Sequence, residues 1–505
     1  MSSLSFYPTL LSELREIALL GSIQSVLGWD ERTHLPPKGA AHRADQTALL
    51  AKLTHERFTS PRIGELLAAI ESTTDYSADA HSDLAVNVRH TRKAYDRATK
   101  LPTSLVEELS RTAVLGEAAW VDAKAKSDFS IFKPWLEKTL DLKRHEAACV
   151  AQPGQSTYDA LLDEFEPDAK AADIAAVFAN LRPQLVELLG RISTSGRKAP
   201  AEVLTRSFPV EKQEALATFA AKTIGYDFSA GRLDVSVHPF STDLGPGDSR
   251  ITTRYDEHWF GDGFFGTLHE TGHSLYTQGL PSEHFGTPRG QYVSLGIHES
   301  QSRLWENLVG RSVPFWRFFF PKLKETFPQT LADVSESQWH FAVNDIGPSL
   351  IRTEADEATY NLHVMLRFEI ERALLSGDLA VSDLPATWNE KMEDYLGLTP
   401  PDDARGCLQD VHWAGGAIGY FPTYTLGNLY AAQFYEQAKK DLPDLETGFE
   451  TGEFSPLLAW LRKNIHQHGK TYSATELVQR VTGKALSSEP LMNHLKRKAQ
   501  DLYGV

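Results

Sequence analysis

Apolar residues recur at helical spacing along most of the chain. Leu11, Leu14, Ile17 and Leu20 mark one face of an opening helix, and Leu50, Leu53 and Phe58 continue the pattern after the turn at Pro36-Pro37-Lys38-Gly39. The stretch 79–126 is rich in Ala, Leu, Glu, Lys and Arg and is broken at Leu101-Pro102-Thr103-Ser104, which predicts two helices. Another helix opens at Asp173-Ile174-Ala175-Ala176-Val177-Phe178 with Asp173 as its N-cap, and a further one spans 210–224. Strand signal is confined to the middle. Residues 232–240 alternate polar and apolar, 250–255 are rich in β-branched side chains, and 291–295 form a short third candidate. Helical spacing returns from 338 onward, interrupted at 397–406 and 415–422. The expected fold class is mainly α, with a small antiparallel β-sheet. No repeat, low-complexity tract or long Pro/Gly/Ser linker divides the chain, so a single domain over 1–505 is expected.

Composition narrows the partners. With 41% hydrophobic and 23% charged residues the chain is globular in type. A formal charge of −16 disfavours nucleic acid or an anionic membrane, both of which select for clustered positive charge. Cys149 and Cys407 are the only cysteines, so no disulfide framework and no four-Cys zinc site is implied, and a reducing compartment is expected. Met1-Ser2-Ser3-Leu4-Ser5-Phe6 lacks a basic leader, and the apolar stretch 17–29 is broken by Ser22, Gln24 and Ser25. The expected location is the cytoplasm.

The densest chemistry is His269-Glu270-Thr271-Gly272-His273. On a helix, four residues rise about 6 Å and turn about 40°, so both imidazoles leave one face and can grip one zinc ion. Glu270 is then placed to act as general base toward a water activated there. Phe264, Phe265, Leu268, Leu275 and Tyr276 surround the motif, predicting a buried helix on which two histidines and a glutamate would be costly without a metal to pair them. Glu299, 26 positions after His273, is the candidate third ligand. Such a site implies hydrolysis, most often of an amide, and calls for an oxyanion donor and a cation for a charged substrate terminus. Arg352, expected on a helix with acidic neighbours, could be that cation or a surface salt bridge. Gly406-Cys407-Leu408-Gln409-Asp410-Val411-His412-Trp413 gathers an amide, a carboxylate and an imidazole, though a merely satisfied buried His412 is the alternative. In Tyr420-Phe421-Pro422-Thr423-Tyr424 the aromatics are core residues or phenols able to donate to an oxyanion, Tyr424 being the first choice of donor ahead of Tyr420 and His412.

These motifs together resemble the carboxypeptidase Taq family of zinc metallocarboxypeptidases. The resemblance runs over nearly the whole chain: His238-Pro239-Phe240, Asp248-Ser249-Arg250-Ile251-Thr252, His269 to His273, His298-Glu299-Ser300-Gln301-Ser302, 351–356 and 406–413, with an opening segment at 27–37. It implies a helical gluzincin-type peptidase with a deep substrate groove, 1–205 on one side and the metal-binding 206–505 on the other, assembled as a homodimer. It further implies release of single C-terminal residues with broad tolerance, zinc or sometimes cobalt on His269, His273 and Glu299, and Glu270 as base. Arg352 would hold the substrate's terminal carboxylate, with His238, Arg250, Gln409, His412, His298 and Tyr420 around the pocket. Two other readings compete: an endo-acting oligopeptidase, which needs no carboxylate clamp, and a scaffold with a dead metal site, which has no use for Glu270.

Overall fold

The computed structural model describes residues 6–73 and 76–505, so residues 1–5, on which the expectation of no basic leader rests, lie outside the described residues. Helices dominate, many of them opened by a serine whose hydroxyl accepts a backbone N–H, as at Ser82, Ser156, Ser312 and Ser473. The predicted break at 101–104 separates helices Asp83–Lys100 and Thr103–Lys126, and the helix expected over 210–224 runs Val210–Thr223. No helix among the described residues is long and apolar enough to cross a membrane.

One large hydrophobic core reaches from Ala123 to Tyr503, and a smaller one joins Leu10 and Leu14 to Ile63, Leu67, Ile70 and Val88. Of the expected stripe Leu50, Leu53 and Phe58, only Phe58 packs against a core, the smaller one. Helix Ala40–Phe58 buries no residue fully, and Leu53 is 39% exposed. Periodicity tells which face is apolar, not whether another element covers it. Asp173 is not an N-cap either: the helix begins earlier, at Ala171, whose N–H is taken by the Asp159 carboxylate 2.7 Å away. A tertiary acceptor replaces the local one, and Asp173 sits in the first turn, where its charge suits the helix dipole.

The sheet has three short strands, β1 (Leu233–Val235), β2 (Ser241–Asp243) and β3 (Ser249–Thr253), in the order β1-β3-β2. The β2–β3 pairing is antiparallel, but β1–β3 is parallel, Leu233 facing Ile251 and Val235 facing Thr253. The third strand expected at 291–295 is absent; β2 takes its place. Ser294 instead caps helix Leu295–Arg303, while the buried Glu166 carboxylate accepts both the Ser294 hydroxyl and the Gly296 N–H. Sequence distance hid that contact.

The histidine helix, Phe260–Gly279, is held at three points. Phe260, Phe264 and Phe265 enter an aromatic cluster with Phe208, Phe315, Trp316 and Trp339. Farther along, β3 lies on it through the Ser249 and Ser274 hydroxyls, 2.7 Å apart. Between these, Gly272 touches helix Leu295–Arg303: a Cβ there would sit 2.5 Å from the Gln301 carbonyl oxygen. Helix Pro422–Asp441 approaches the same helix at Gly427, where a Cβ would meet the Glu299 side chain at 2.5 Å. Gly272→Ala should therefore lower stability by about 1–3 kcal/mol through overpacking. Gly190→Ala, on an exposed helix position with nothing within 4 Å, should be neutral or stabilising. Thermal unfolding of the two variants at equal protein concentration checks both.

Candidate metal centre

His269 and His273 leave the same helix face, and helix Leu295–Arg303 brings Glu299 across to them. Nε2 of His269 and of His273 lie 3.6 and 3.3 Å from Glu299 Oε2. Edges of that length belong to a tetrahedron whose centre is about 2 Å from each corner, the bond length of zinc to imidazole and carboxylate. The donor set fits a divalent metal, and these are the residues that would hold it.

Each imidazole turns its other nitrogen to a fixed partner. His269 Nδ1 lies 2.9 Å from Glu306 Oε2, and His273 Nδ1 lies 2.5 Å from His298 Nδ1. Burial, with His273 beside it, pushes the pKa of His298 well down, so His298 is neutral and can accept the Nδ1 proton of His273. Both ligands then present Nε2 lone pairs in one direction. Glu306 reaches His269 because the helix carrying Glu299 widens into a π-helical turn over Leu304–Val309. Arg303 donates to Glu299 at 2.7 Å and to Glu306 at 3.3 Å. Burial alone would raise both carboxyl pKa values. Arg303 and the histidines outweigh it, holding Glu299 well below the ordinary range and Glu306 at about 2.

Glu270 is 7% exposed, and its carboxylate accepts no hydrogen bond among the described residues. Burial, opposed by His269 and His273 and reinforced by Glu299 and Glu306, raises its pKa. A buried carboxylate without donors is a strong proton acceptor.

Arg303 stacks over Tyr360, 4.4 Å from the ring centroid, and the Tyr360 hydroxyl receives Arg352 Nη1 at 2.6 Å. Arg352 lies on a 3-10 turn, Arg352–Glu354, rather than the expected helix. It is buried, not on the surface: Nε and Nη2 both donate to Asp410 Oδ1, at 3.0 and 2.7 Å. Asp410 also takes Arg367. Gln409 receives the Arg352 backbone N–H at 3.0 Å and Arg367 Nη2 at 2.7 Å, and its amide nitrogen donates to backbone carbonyls. The Tyr424 ring lies 5.0 Å from the Arg352 guanidinium, its hydroxyl 3.3 Å from His412 Nε2 and its ring 5.3 Å from Tyr420. Burial lowers the His412 pKa to about 4 and raises that of Tyr424 well above 10, so the imidazole is neutral and the phenol protonated. Behind them Glu371, pushed by burial to about 7, fixes the loop through Trp413 Nε1 and the Gly419 N–H.

The structure does not bring His238 or Arg250 into contact with this cluster. His238 is exposed between β1 and β2. Arg250 pairs with Asp248 at 2.7 Å and stacks over Trp29. Conversely, Arg303 and Glu306 escaped the sequence reading, although they follow Glu299 at i+4 and i+7 and so share its helix face. Tyr360 carried no local signal.

The sequence profile described as carboxypeptidase Taq (M32) metallopeptidase matches residues 9–499. This chain belongs to that family. It is 50% identical to thermostable carboxypeptidase 1 of Thermus thermophilus over 99% of both chains. To carboxypeptidase 1 of Bacillus subtilis it is 40% identical over 97% of both. Among solved structures, the M32 carboxypeptidase of Deinococcus radiodurans R1 superposes with a TM-score of 0.95 at 43% identity, covering 99% of this chain and 100% of that one. The chain is a metallocarboxypeptidase and its fold is the family's. Membership makes a metal necessary, and the His269–His273–Glu299 triangle is where the donors converge. Glu306→Gln, which keeps shape but weakens the partner of His269, should loosen divalent-metal binding about 10- to 100-fold, read by equilibrium competition with a chelator.

Proposed function

We propose that this metallocarboxypeptidase is zinc-dependent and removes single C-terminal residues from peptides with broad side-chain tolerance, Glu270 serving as general base. The observation that carries the reading is the donor-free Glu270 carboxylate beside the His269–His273–Glu299 triangle. When bound, the zinc supplies positive charge that acidifies the attacking water and polarises the scissile carbonyl. Glu270 withdraws the water's proton and returns it to the leaving amine, a task suited to a carboxylate whose pKa burial has raised. The protonated Tyr424 phenol donates to the oxygen that becomes negative, with His412 orienting it and Tyr420 next in reach.

Arg352 accounts for action at the chain end. Asp410 and Tyr360 use one N–H each on Nη2 and Nη1, so one N–H on each nitrogen is left to clasp a terminal carboxylate bidentately. Gln409 contributes by holding Arg352, and His298 by orienting His273. Nitrogen and carboxylate donors favour zinc, with cobalt as the alternative. The same reading includes a cytoplasmic homodimer whose groove lies between 1–205 and 206–505.

Glu270→Gln should retain metal while kcat falls at least about 100-fold; normal turnover with full metal content would remove Glu270 as base. A peptide with an amidated C-terminus should be cleaved far more slowly than its free acid, and Arg352→Ala should raise KM for the free acid while erasing that preference. Equal cleavage of acid and amide by the wild-type protein would favour an endo-acting peptidase instead.

A further inference from the structure

Lys470 has no carboxylate partner among the described residues, although the nearby cations Lys93 and Arg289 both have one. Lys93 sits 2.8 Å from both Asp163 and Asp168, and Arg289 lies 3.1 Å from Asp83. The backbone around Lys470 is fixed. Gly469 takes φ +49 against the Arg289 carbonyl, where a Cβ would sit 1.8 Å from the oxygen. Arg289 Nη1 donates to the Gln467 carbonyl at 2.9 Å, and His90 Nε2 lies 3.0 Å from the Lys470 carbonyl. Burial and the surrounding cations drop His90 to about 4, so this ring is neutral and donates. A segment locked on both sides therefore presents one uncompensated ammonium.

A chain of ring contacts links that ammonium to the metal cluster. Lys470 Nζ lies 6.0 Å from the Tyr292 ring centroid. Tyr292 is 39% exposed and meets His298 edge-on at 5.0 Å, and His298 holds His273. Burial, with Lys93 nearby, lowers the Lys470 pKa, the mark of a crowded cation lacking an anion. Arg352 connects to the cluster by a different route, through Tyr360, Arg303 and Glu299. The two cations thus approach the metal position from different ligands, and a peptide whose last residue is held at Arg352 would carry its earlier residues toward Tyr292 and Lys470. This direction rests on the carboxypeptidase reading given above.

We propose that Lys470 is a specificity-determining residue that receives the side-chain carboxylate of an Asp or Glu lying upstream of the bond to be cut. The test uses metal-loaded enzyme and short peptides with free C-termini, uncharged except for Glu or Gln at each of the three positions before the last residue. At low ionic strength the wild type should prefer Glu over Gln in kcat/KM by about threefold to tenfold at one of these positions, and salt should shrink the ratio. Lys470→Met should bring that ratio to one with the Gln peptide little changed. Lys470→Arg should keep it, and Lys470→Glu should favour Lys at the same position. A wild-type ratio of one at all three positions overturns the proposal. So does a Lys470→Met variant that slows Glu and Gln peptides equally, which would assign Lys470 to the terminal carboxylate or to folding. Failure of the wild type to release any C-terminal residue would sink the carboxypeptidase reading itself, whereas intact release with equal ratios sinks only the role of Lys470.

Discussion

The Glu299 carboxylate is the point on which the centre depends. Removing a carboxylate from water costs several kcal/mol unless partners compensate. Here Arg303 takes one oxygen, while the other accepts the Ser302 hydroxyl and lies toward His269 and His273. With Glu306 and Arg311 the arrangement alternates in sign, so the interior carries few uncompensated charges before any metal arrives. Cooperation among these groups requires three helices to come closer than ordinary side chains permit. Gly272 and Gly427 provide that approach, one on each side of helix Leu295–Arg303.

Two kinds of polar group surround this core, and their state of engagement separates their roles. His298, Glu306, Arg303, Gln409 and Asp410 are engaged by neighbouring groups, and they fix the orientation of something else. Among the described residues, Glu270 has no donor, Lys470 has no counter-ion, and Arg352 keeps two N–H groups free. The unsatisfied groups are the ones able to meet substrate, since a group already engaged must break a contact to bind anything. Preorganisation of this kind places the cost of desolvation in folding rather than in the reaction.

The sheet performs a positional task out of proportion to its size. Strands β1 and β2 bury little, but the buried β3 lies along the histidine helix through Ser249 and Thr253, which limits sliding of that helix against its aromatic anchor. Mixed pairing suits this use: β3 returns parallel to β1 after a crossover, leaving Arg250 on the face away from the helix.

Local chemistry alone specified the metal-binding helix, the break at 101–104, the helix at 210–223 and the convergence of His269, His273 and Glu299, because each rests on short-range spacing or on residue types with few other uses. The strand assigned to 291–295, the cap at Asp173 and the burial of Leu53 were decided elsewhere, by Glu166, by Asp159 and by the absence of a covering element among the described residues. Arg352 shows the same division: its presence was legible, but its burial against Asp410 and Tyr360 depends on residues 58 and 8 positions away. Lys470 was invisible in the sequence, since a lysine's lack of a partner is a property of its surroundings. Spacing along the chain determines which faces and donors exist; only packing decides which of them meet.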